Sequence, residues 1–504
     1  MVIRGLNVIF VVRKQKHFFL YFMSKITSSS ADYQTFPTLF ELEPVAGKKV
    51  TVDFTAPELS SLGGLTLVHE YEKSSSRIIE RIESCIKDPR WEPMVIHSQT
   101  EMLRQRIYQI MAGFEDADDC DRLCSDGILK MCAGRSASDE IDLASQPTMT
   151  RLENRLSRKE LFDIGEAFID DFIASYDSEP DAIIIDADDT NADTYGAQQL
   201  TLFNAYYGEY CYMPLLLFEG RSGKLILPIL RPGRGNKAIN IAGLLKRLIL
   251  KLRKKWKHTQ VIFRGDSHFC SHDFMDWVTD RQDGIHFITG LAGNAKLKSI
   301  SERWLQSATD SYEATGEEVR TFHSFMYKAG SWKHQQRVVV KIEVNNLGTN
   351  VRYVVTDFKG QRSSFIYSEC YCDRGRMEQM IAELKNGLKA DRMSCNKFTA
   401  NQFRLYLHCA AYVILHSFQA DMLVGTELEC STVTTMREKL LLSAVSIDEK
   451  KTCIRLRFSQ KAPMLPEMVS VLTRLRHLPP SWTERRSKYQ VRSPDRGSTA
   501  ALRT

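Results

Sequence analysis

One β-branched run, Ala182-Ile-Ile-Ile-Asp186, most constrains the fold, since helical periodicity gives way to strands at this point. Such a run is typical of a buried strand, and this one ends in a carboxylate. Apolar runs around two glycines then predict an antiparallel hairpin over residues 214–229. A basic amphipathic helix over residues 239–258 and a strand over residues 260–266 follow. Strand, hairpin, helix and strand together predict an α/β sheet.

The rest of the chain, which has 504 residues and room for several domains, follows two further patterns. Residues 50–175 have apolar positions at helical spacing and predict a mainly helical region. Between about residues 295 and 365, β-rich runs predict an inserted β subdomain, and helices resume over residues 371–420. The opening residues 1–23 are too charged and too short for a membrane span, so we interpret them as a possible upstream extension.

Charge and cysteine content narrow the class of partner and the compartment. The net charge is 68 − 62 = +6, but residues 451–504 alone contribute 12 − 3 = +9. A basic C-terminal segment suits a DNA phosphate backbone, although a solvated tail explains it equally well. Twelve cysteines are scattered without the paired spacing of a zinc finger, which favours free thiols in a reducing compartment. We therefore expect a cytoplasmic protein.

Two aspartates, Asp186 and Asp266, each follow an apolar strand-like run. Taken singly, such a carboxylate most often caps the next turn or helix. Neighbouring parallel strands, however, place their ends at the same edge of a sheet, where α/β proteins build their sites. Carboxylates that meet there repel one another, and a divalent cation removes that repulsion. Oxygen ligands without Cys or His indicate Mg²⁺ or Mn²⁺.

Four residues of the segment that follows, Tyr371, Arg374, Glu378 and Lys385, form a possible functional stripe. At 100° per residue, a regular helix projects all four within about 60° of one another. The carboxylate of Glu378 would then complete a three-acid cluster with the two aspartates. Arg374 and Glu378 are also spaced as an ordinary surface ion pair, which is the alternative interpretation.

These residues carry a resemblance to a known family. The Y-x2-R-x3-E-x6-K spacing resembles the signature of bacterial insertion-sequence DDE transposases. Further stretches resemble the insertion sequence 1380 family over roughly residues 50–480; they include Ala144-Ser-Gln-Pro-Thr148, Asn204-Ala-Tyr-Tyr-Gly208, Arg231-Pro-Gly233 and Arg264-Gly-Asp266. The chain departs from that family at Asp186-Ala-Asp188-Asp189, where Asp-x-Thr is usual.

The resemblance implies an RNase H-like catalytic core, a mixed sheet flanked by helices, over residues 176–420. A β insertion would interrupt it, a helical DNA end-binding region would span residues 24–175, and residues 421–504 would form a basic C-terminal region.

By position, Asp186, Asp266 and Glu378 take the catalytic and metal-binding roles, with two Mg²⁺ or Mn²⁺ ions expected. Arg374 and Lys385 would hold DNA phosphates, and Tyr371 would bind a phosphate or stack.

The implied function is cleavage and strand transfer at the terminal inverted repeats of an insertion sequence, by a homo-oligomer assembled on double-stranded DNA in the bacterial nucleoid, without a membrane. Two alternatives remain. The extra aspartates allow a catalytically impaired relative that binds DNA and regulates the element, and the same chemistry would serve a domesticated DNA nuclease.

Overall fold

The structure, a computed structural model, describes residues 40–53, 55–233, 240–281 and 283–477. The described residues form two compact units, one with the residues up to 60 and residues 445–457, and one with residues 61–444 and those from 458 onward.

Parts of three predicted segments fall outside this range. They are the possible upstream extension, residues 1–23, the start of the helical DNA end-binding region, residues 24–39, and the last part of the basic C-terminal region, residues 478–504. Among the residues that are described, no helix combines the length and apolar character needed to cross a bilayer.

The first unit consists of short antiparallel strands. They are β1 (Phe40–Val45), β2 (Lys48–Val52), β3 (Leu59–Ser60), β15 (Val445–Lys450) and β16 (Cys453–Phe458). β1 and β2 form a hairpin whose two turn residues, Ala46 and Gly47, have φ values of 51° and 75°. Two positive φ angles in a two-residue turn match the right-handed twist of paired strands. The other three strands form a separate sheet in the order β16-β15-β3.

The second unit begins with helices, as the apolar spacing predicts. They are α1 (Leu65–Ser75), α2 (Ile78–Cys85), α3 (Gln99–Ala112), α4 (Asp119–Leu123), α5 (Gly127–Cys132), α6 (Gln146–Arg155) and α7 (Arg158–Ala174), with a short 3-10 turn at Glu92–Met94. The longest of them, α7, starts at a capping box in which Ser157 and Glu160 bond each other's backbone N–H groups.

A mixed sheet of eight strands forms the centre of the second unit. Its strands are β4 (Ala182–Asp189), β8 (Leu215–Glu219), β9 (Leu225–Ile229), β10 (Gln260–Gly265), β11 (Ile285–Leu291), β12 (Val319–Tyr327), β13 (Gln336–Asn345) and β14 (Gly348–Thr356), in the order β12-β13-β14-β11-β10-β4-β8-β9. β10 runs parallel to both β4 and β11, and the other neighbours are antiparallel. The predicted α/β class is confirmed, as are the antiparallel hairpin of β8 and β9 and the strands on either side of the basic helix.

The segment predicted as a β insertion contains a long helix before its strands. Residues Ala295–Thr315 form α10, and β12, β13 and β14 follow it. These strands pair with one another and, through β14, with β11. They extend the central sheet, a result that the alternation of residues within each strand does not encode, because alternation gives no information about the pairing partner.

Helices cover both faces of the sheet. The remaining ones are α8 (Ile241–Lys255), α9 (His272–Arg281), α11 (Arg376–Ala382), α12 (Phe398–Met422), α13 (Val433–Met436) and α14 (Leu465–Leu475). Ile183, Ile185 and Ala187 of β4 pack into a core with residues of α7, α8, α9 and α10. Because side chains alternate along a strand, Asp186 and Asp188 face the opposite side. On that side, Ile366 and Tyr367 pack against the sheet and bring residues 365–387 over the aspartates.

A third, small sheet lies between β4 and β8 in sequence. Its strands are β5 (Ala192–Asp193), β6 (Leu202–Asn204) and β7 (Glu209–Tyr212), in the order β5-β7-β6. Leu202 pairs with Cys211 and Ala192 pairs with Tyr212, so β7 is the central strand.

Candidate active site

Asp186 forms a buried pair with Arg264 of the neighbouring parallel strand. The guanidinium donates to both carboxylate oxygens, Nε to Oδ1 at 2.6 Å and Nη2 to Oδ2 at 2.7 Å. Asp186 is fully buried, and a Cβ on Gly220 would collide with the pair. Burial raises the pKa of Asp186 to about 6, while Arg264 opposes the rise by favouring the ionised form. Both oxygens of the predicted first metal ligand are therefore bonded to Arg264.

Asp188 lies two positions further along β4, on the same face as Asp186. Its Oδ2 accepts a hydrogen bond from Nη1 of Arg374 at 2.8 Å. Burial raises the pKa of Asp188, Arg374 opposes the rise, and the negative charge of Asp266 adds to it. Since Ala187 is aligned with Gly265, Asp188 and Asp266 continue the two parallel strands at the same level. Asp188 is thus the β4 carboxylate that lies level with Asp266.

Asp266 directly follows β10 and caps the 3-10 turn Ser267–Phe269. One carboxylate oxygen accepts a hydrogen bond from the His268 backbone N–H at 2.8 Å, and the other lies 3.1 Å from the His268 Nδ1. The Asp266 side chain is 28% exposed, in contrast to the fully buried Asp186. Asp266 therefore combines the capping role with access to solvent.

Asp189 bonds a third arginine. Its Oδ2 lies 2.5 Å from Nη2 of Arg231, whose Nε donates to the Met213 carbonyl at 3.1 Å. Because Asp189 is one residue beyond Asp188, its side chain leaves the strand on the other face. Asp186, Asp188 and Asp189 thus each pair with a different arginine.

The segment that carries the predicted stripe is an irregular helix. It begins as a π-helix at Phe365–Tyr371, tightens to a 3-10 helix at Cys372–Gly375, continues as α11 and widens again to a π-helix at Glu383–Gly387. A uniform turn of 100° per residue does not hold along such a helix. The four stripe residues therefore differ in their surroundings.

Tyr371 and Arg374 reach the two aspartates. The Tyr371 hydroxyl lies against Gly290, next to the Asp266–Ser267 backbone: a Cβ on Gly290 would be 2.8 Å from that hydroxyl and 2.8 Å from the Ser267 nitrogen. Burial raises the pKa of Tyr371, with Arg374 opposing the rise and Asp266 adding to it. The negative charges of both Asp188 and Asp266 in turn favour the charged form of Arg374.

Lys385 and Glu378 do not join that group. The Lys385 Nζ donates to the backbone and side-chain oxygens of Asn191 at 3.0 and 2.9 Å, so it holds the chain that leaves β4. Glu378 is exposed and has no hydrogen bond or ion pair with the described residues. The predicted Arg374–Glu378 surface pair is also absent from the described part of the chain, because Arg374 points to Asp188.

The side chains placed here do not assemble a metal centre. Within the ranges that the structure describes, no group of three His, Cys, Asp or Glu side chains is arranged to hold a cation. The donor types of Asp188, Asp266 and Glu378 suit a hard divalent ion, but their arrangement does not. Positive charge at the two aspartates comes from Arg374.

The sequence-based prediction misses two residues of this site. They are Asp188, a candidate site residue, and Arg264, the partner of Asp186. A signal for Asp188 was present, because the period of two places it on the same strand face as Asp186. Arg264 also donates from Nη1 to the Cys370 carbonyl at 2.7 Å and lies 3.2 Å from Asp373, so it ties the strand to the irregular helix. That tertiary link has no local sequence signal.

The basic helix α8 is largely engaged within the protein. Arg247 and Lys251 pair with Glu166 of α7, at 2.7 and 3.0 Å, and Arg253 donates to backbone carbonyls that include that of Asp283, at 3.0 Å. These contacts support a crossover helix with a paired face as the explanation of its charge.

Comparisons with known proteins give one family and one structural likeness. The family described as transposase DDE domain group 1 matches residues 42–480. The chain is similar to a piggyBac transposase solved by cryo-EM in a synaptic complex with hairpin DNA, with a TM-score of 0.39 and 11% sequence identity over 88% of this chain and 87% of that one. No curated protein matches the sequence.

Proposed function

Because the chain belongs to the DDE transposases, in the group 1 transposase domain family, we propose that it binds the terminal inverted repeats of its own insertion sequence and catalyses DNA strand cleavage and strand transfer. The observation that carries this proposal is the pair of aspartates, Asp188 and Asp266, level with each other on two parallel strands. The Y-x2-R-x3-E-x6-K spacing and the resemblance to the insertion sequence 1380 family support the finer assignment.

We propose that five strands form an RNase H-like core. In chain order they are β4, β8, β9, β10 and β11. Counted from the edge of the sheet at β9, their spatial order is β9-β8-β4-β10-β11. The first three are antiparallel and the last two join them in parallel, which puts the first and fourth strands side by side. The candidate carboxylates lie on those two central strands.

The first catalytic carboxylate is Asp188 in this proposal, with Asp186 as the alternative that the sequence favours. Asp186 would have to give up two short bonds to Arg264 before it could bind anything else. Asp188 accepts one hydrogen bond from Arg374 and one from the Asp189 backbone N–H, at 2.8 and 3.0 Å, and it shares the local field of Asp266. Asp266 and Glu378 keep the second and third roles.

DDE transposases generally use divalent metal ions, and oxygen-only donors favour two Mg²⁺ or Mn²⁺ ions here. Asp188, Asp266 and Glu378 would hold such ions if Glu378 joined the aspartates, and the ions would then supply activation of a water or a 3′-hydroxyl in phosphodiester chemistry. The chain's own contribution is charge and position. Arg374 places a guanidinium beside the carboxylates, where it can also grip a DNA phosphate with two donors.

The proposed DNA contacts extend over the rest of the chain. Tyr371, Arg374 and Lys385 bind DNA near the scissile phosphate, the helical region 24–175 binds the element ends, and residues 421–504 add a basic accessory surface. A homo-oligomer brings two ends together on double-stranded DNA, in the cytoplasm at the nucleoid.

The test uses purified full-length chain, labelled element ends and Mg²⁺. Asp188→Asn and Asp266→Asn should each reduce cleavage by about 1000-fold or more while DNA binding persists, since such a loss corresponds to about 4 kcal/mol of transition-state stabilisation. Asp273→Asn, an exposed aspartate on α9, is the control and should cleave like wild type. Cleavage that survives Asp188→Asn but is lost in an Asp186→Asn variant with an unchanged melting temperature would reverse the assignment of the first carboxylate.

One observation favours the alternative of a relative that binds DNA without cutting: among the described residues, Asp188, Asp266 and Glu378 do not form a group that could hold a metal ion. Binding of element ends with no cleavage in either Mg²⁺ or Mn²⁺ would support that alternative. A domesticated nuclease would nick a supercoiled target without producing joined product.

A further inference from the structure

The segment between β4 and β8 carries an unusual number of exposed aromatic rings. We call it the aromatic flap, and it comprises the small sheet β5-β7-β6 and its turns. Its exposed rings are Tyr195 (93% exposed), Tyr206 (87%), Tyr210 (59%), Phe203 (48%) and Tyr207 (37%). Single exposed apolar residues are ordinary, but a contiguous group of them marks a binding surface.

Four of the five exposed rings of the flap contact one another in pairs. Phe203 and Tyr210 meet edge to face at 5.5 Å, and Tyr206 and Tyr207 do so at 4.9 Å. The hydroxyl of Tyr212, the buried aromatic of β7, donates to the Gln199 carbonyl at 2.7 Å. The flap is thus anchored through Tyr212 and still leaves five aromatic rings exposed to solvent. Such an arrangement indicates a surface that binds a ligand.

The flap adjoins the candidate catalytic carboxylates. It starts immediately after Asp189, and Asn191 at its base is the residue that Lys385 holds. Burial raises the pKa of Tyr207, and the nearby charges of Asp189 and Asp188 add to the rise. The rings therefore lie beside the place where a DNA strand would be cut.

Basic residues occur in the segment that the flap contacts. Gln198 donates to the carbonyls of Met393 and Cys395, which joins the flap to residues 385–397. That stretch contains Lys385, Lys389, Arg392 and Lys397. A ligand that presents flat rings to tyrosines and negative charge to lysines has the chemistry of a nucleic-acid strand. Its bases are free to stack on tyrosines where base pairing is broken.

We propose that the aromatic flap stacks on unpaired bases of the DNA strand next to the candidate carboxylates. The inference rests on the proposed function for the identity of the ligand as DNA. Stacking of this kind tolerates any base sequence, because every base has a π face. The flap would thus hold an opened DNA end without reading its sequence.

The experiment measures binding of the full-length chain, in EDTA, to a blunt duplex and to the same duplex with an unpaired tail that contains 2-aminopurine. Wild type should prefer the tailed duplex and quench the 2-aminopurine. Alanine substitution at Tyr195 and Tyr206 together should weaken tailed-duplex binding about 10-fold or more and abolish the quenching, with blunt-duplex binding unchanged. Phenylalanine substitution at the same two positions should retain both effects, since it keeps the rings.

Leu347→Ala is the matched control, because Leu347 is as exposed as Tyr195 (91%) and lies in a turn of the central sheet. It should bind like wild type. Three results would overturn the inference: no preference for the tail in wild type, equal affinity in the alanine variant, or a change in self-association by sedimentation in place of a change in DNA binding. Because no step needs metal, ring-dependent binding without cleavage would refute only the proposed function, and cleavage without ring-dependent binding would refute only this inference.

Discussion

Asp186 and Asp188 lie two residues apart on one face of one strand, and each pairs with an arginine, yet the two pairs are different. The Asp186–Arg264 pair is buried and doubly bonded, and Arg264 also bonds the irregular helix. The Asp188–Arg374 pair has a single bond and leaves both side chains partly exposed, at 18% and 17%. Position within a motif therefore does not identify which carboxylate acts. In our proposal, access to solvent distinguishes the two carboxylates, and it favours Asp188.

The largest effect should come from breaking the buried pair. Arg264→Ala leaves the Asp186 carboxylate buried without its partner, so we expect the free energy of unfolding to fall by about 3–5 kcal/mol in chemical denaturation. Replacing both residues together, with Asp186→Leu and Arg264→Met, should recover much of that loss because no charge is left buried. A loss below about 1 kcal/mol in Arg264→Ala would show that the pair is not the structural one.

The next effect concerns the wall beside the exposed pair. Gly290→Ala places a Cβ against the Tyr371 hydroxyl and the Ser267 nitrogen, and we expect it to cost about 1–3 kcal/mol through overpacking. Gly293→Ala is the control, since its Cβ would meet only the Tyr353 ring at an ordinary 3.5 Å. Adding Tyr371→Phe should restore part of the stability lost in Gly290→Ala. Equal stability of the two alanine variants would contradict the close approach.

Breaking the exposed pair should have a smaller effect on stability. Arg374→Ala removes one hydrogen bond from a partly exposed pair, so we expect a loss of about 1 kcal/mol in denaturation. The pKa of Asp188 should rise further, because Arg374 now favours its ionised form. An NMR titration of the Asp188 carboxylate measures that rise. An unchanged pKa in Arg374→Ala would mean that the guanidinium does not compensate the carboxylate.

A further effect is a change in how the free energy of unfolding depends on pH. The folded-state pKa of Asp186 is about 6, above the ordinary value of 3.8, so the folded protein binds the extra proton between these two pH values. Stability from this group therefore decreases as pH rises from about 4 to 6. Asp186→Asn should flatten the slope of unfolding free energy against pH over that window. A slope equal to that of wild type would refute the raised pKa.

The sequence predicts elements better than it predicts their partners. The strand at Ala182–Asp189 and the hairpin after Leu215 follow from apolar runs and turn residues, which are local signals. The pairing of β14 with β11 depends on residues far apart in the chain, and no pattern within either strand encodes it.

The same limit applies to the candidate site. The spacing of Tyr371, Arg374 and Glu378 indicates a functional segment, but the direction of each side chain depends on helix geometry. That geometry departs from 100° per residue, because the segment contains π and 3-10 turns. The third carboxylate is therefore the residue whose position sequence reasoning predicts least well.

The π-helical stretches before and after Arg376–Ala382 have a mechanical consequence. A π turn, closed by a backbone hydrogen bond between residues i and i+5, contains one residue more than an α turn. Moving one such extra residue from one end of α11 to the other would rotate α11 by about 100° and translate it by about 1.5 Å along its axis. Glu378 lies in that helix and would turn with it, whereas Arg374 lies in the 3-10 turn before it.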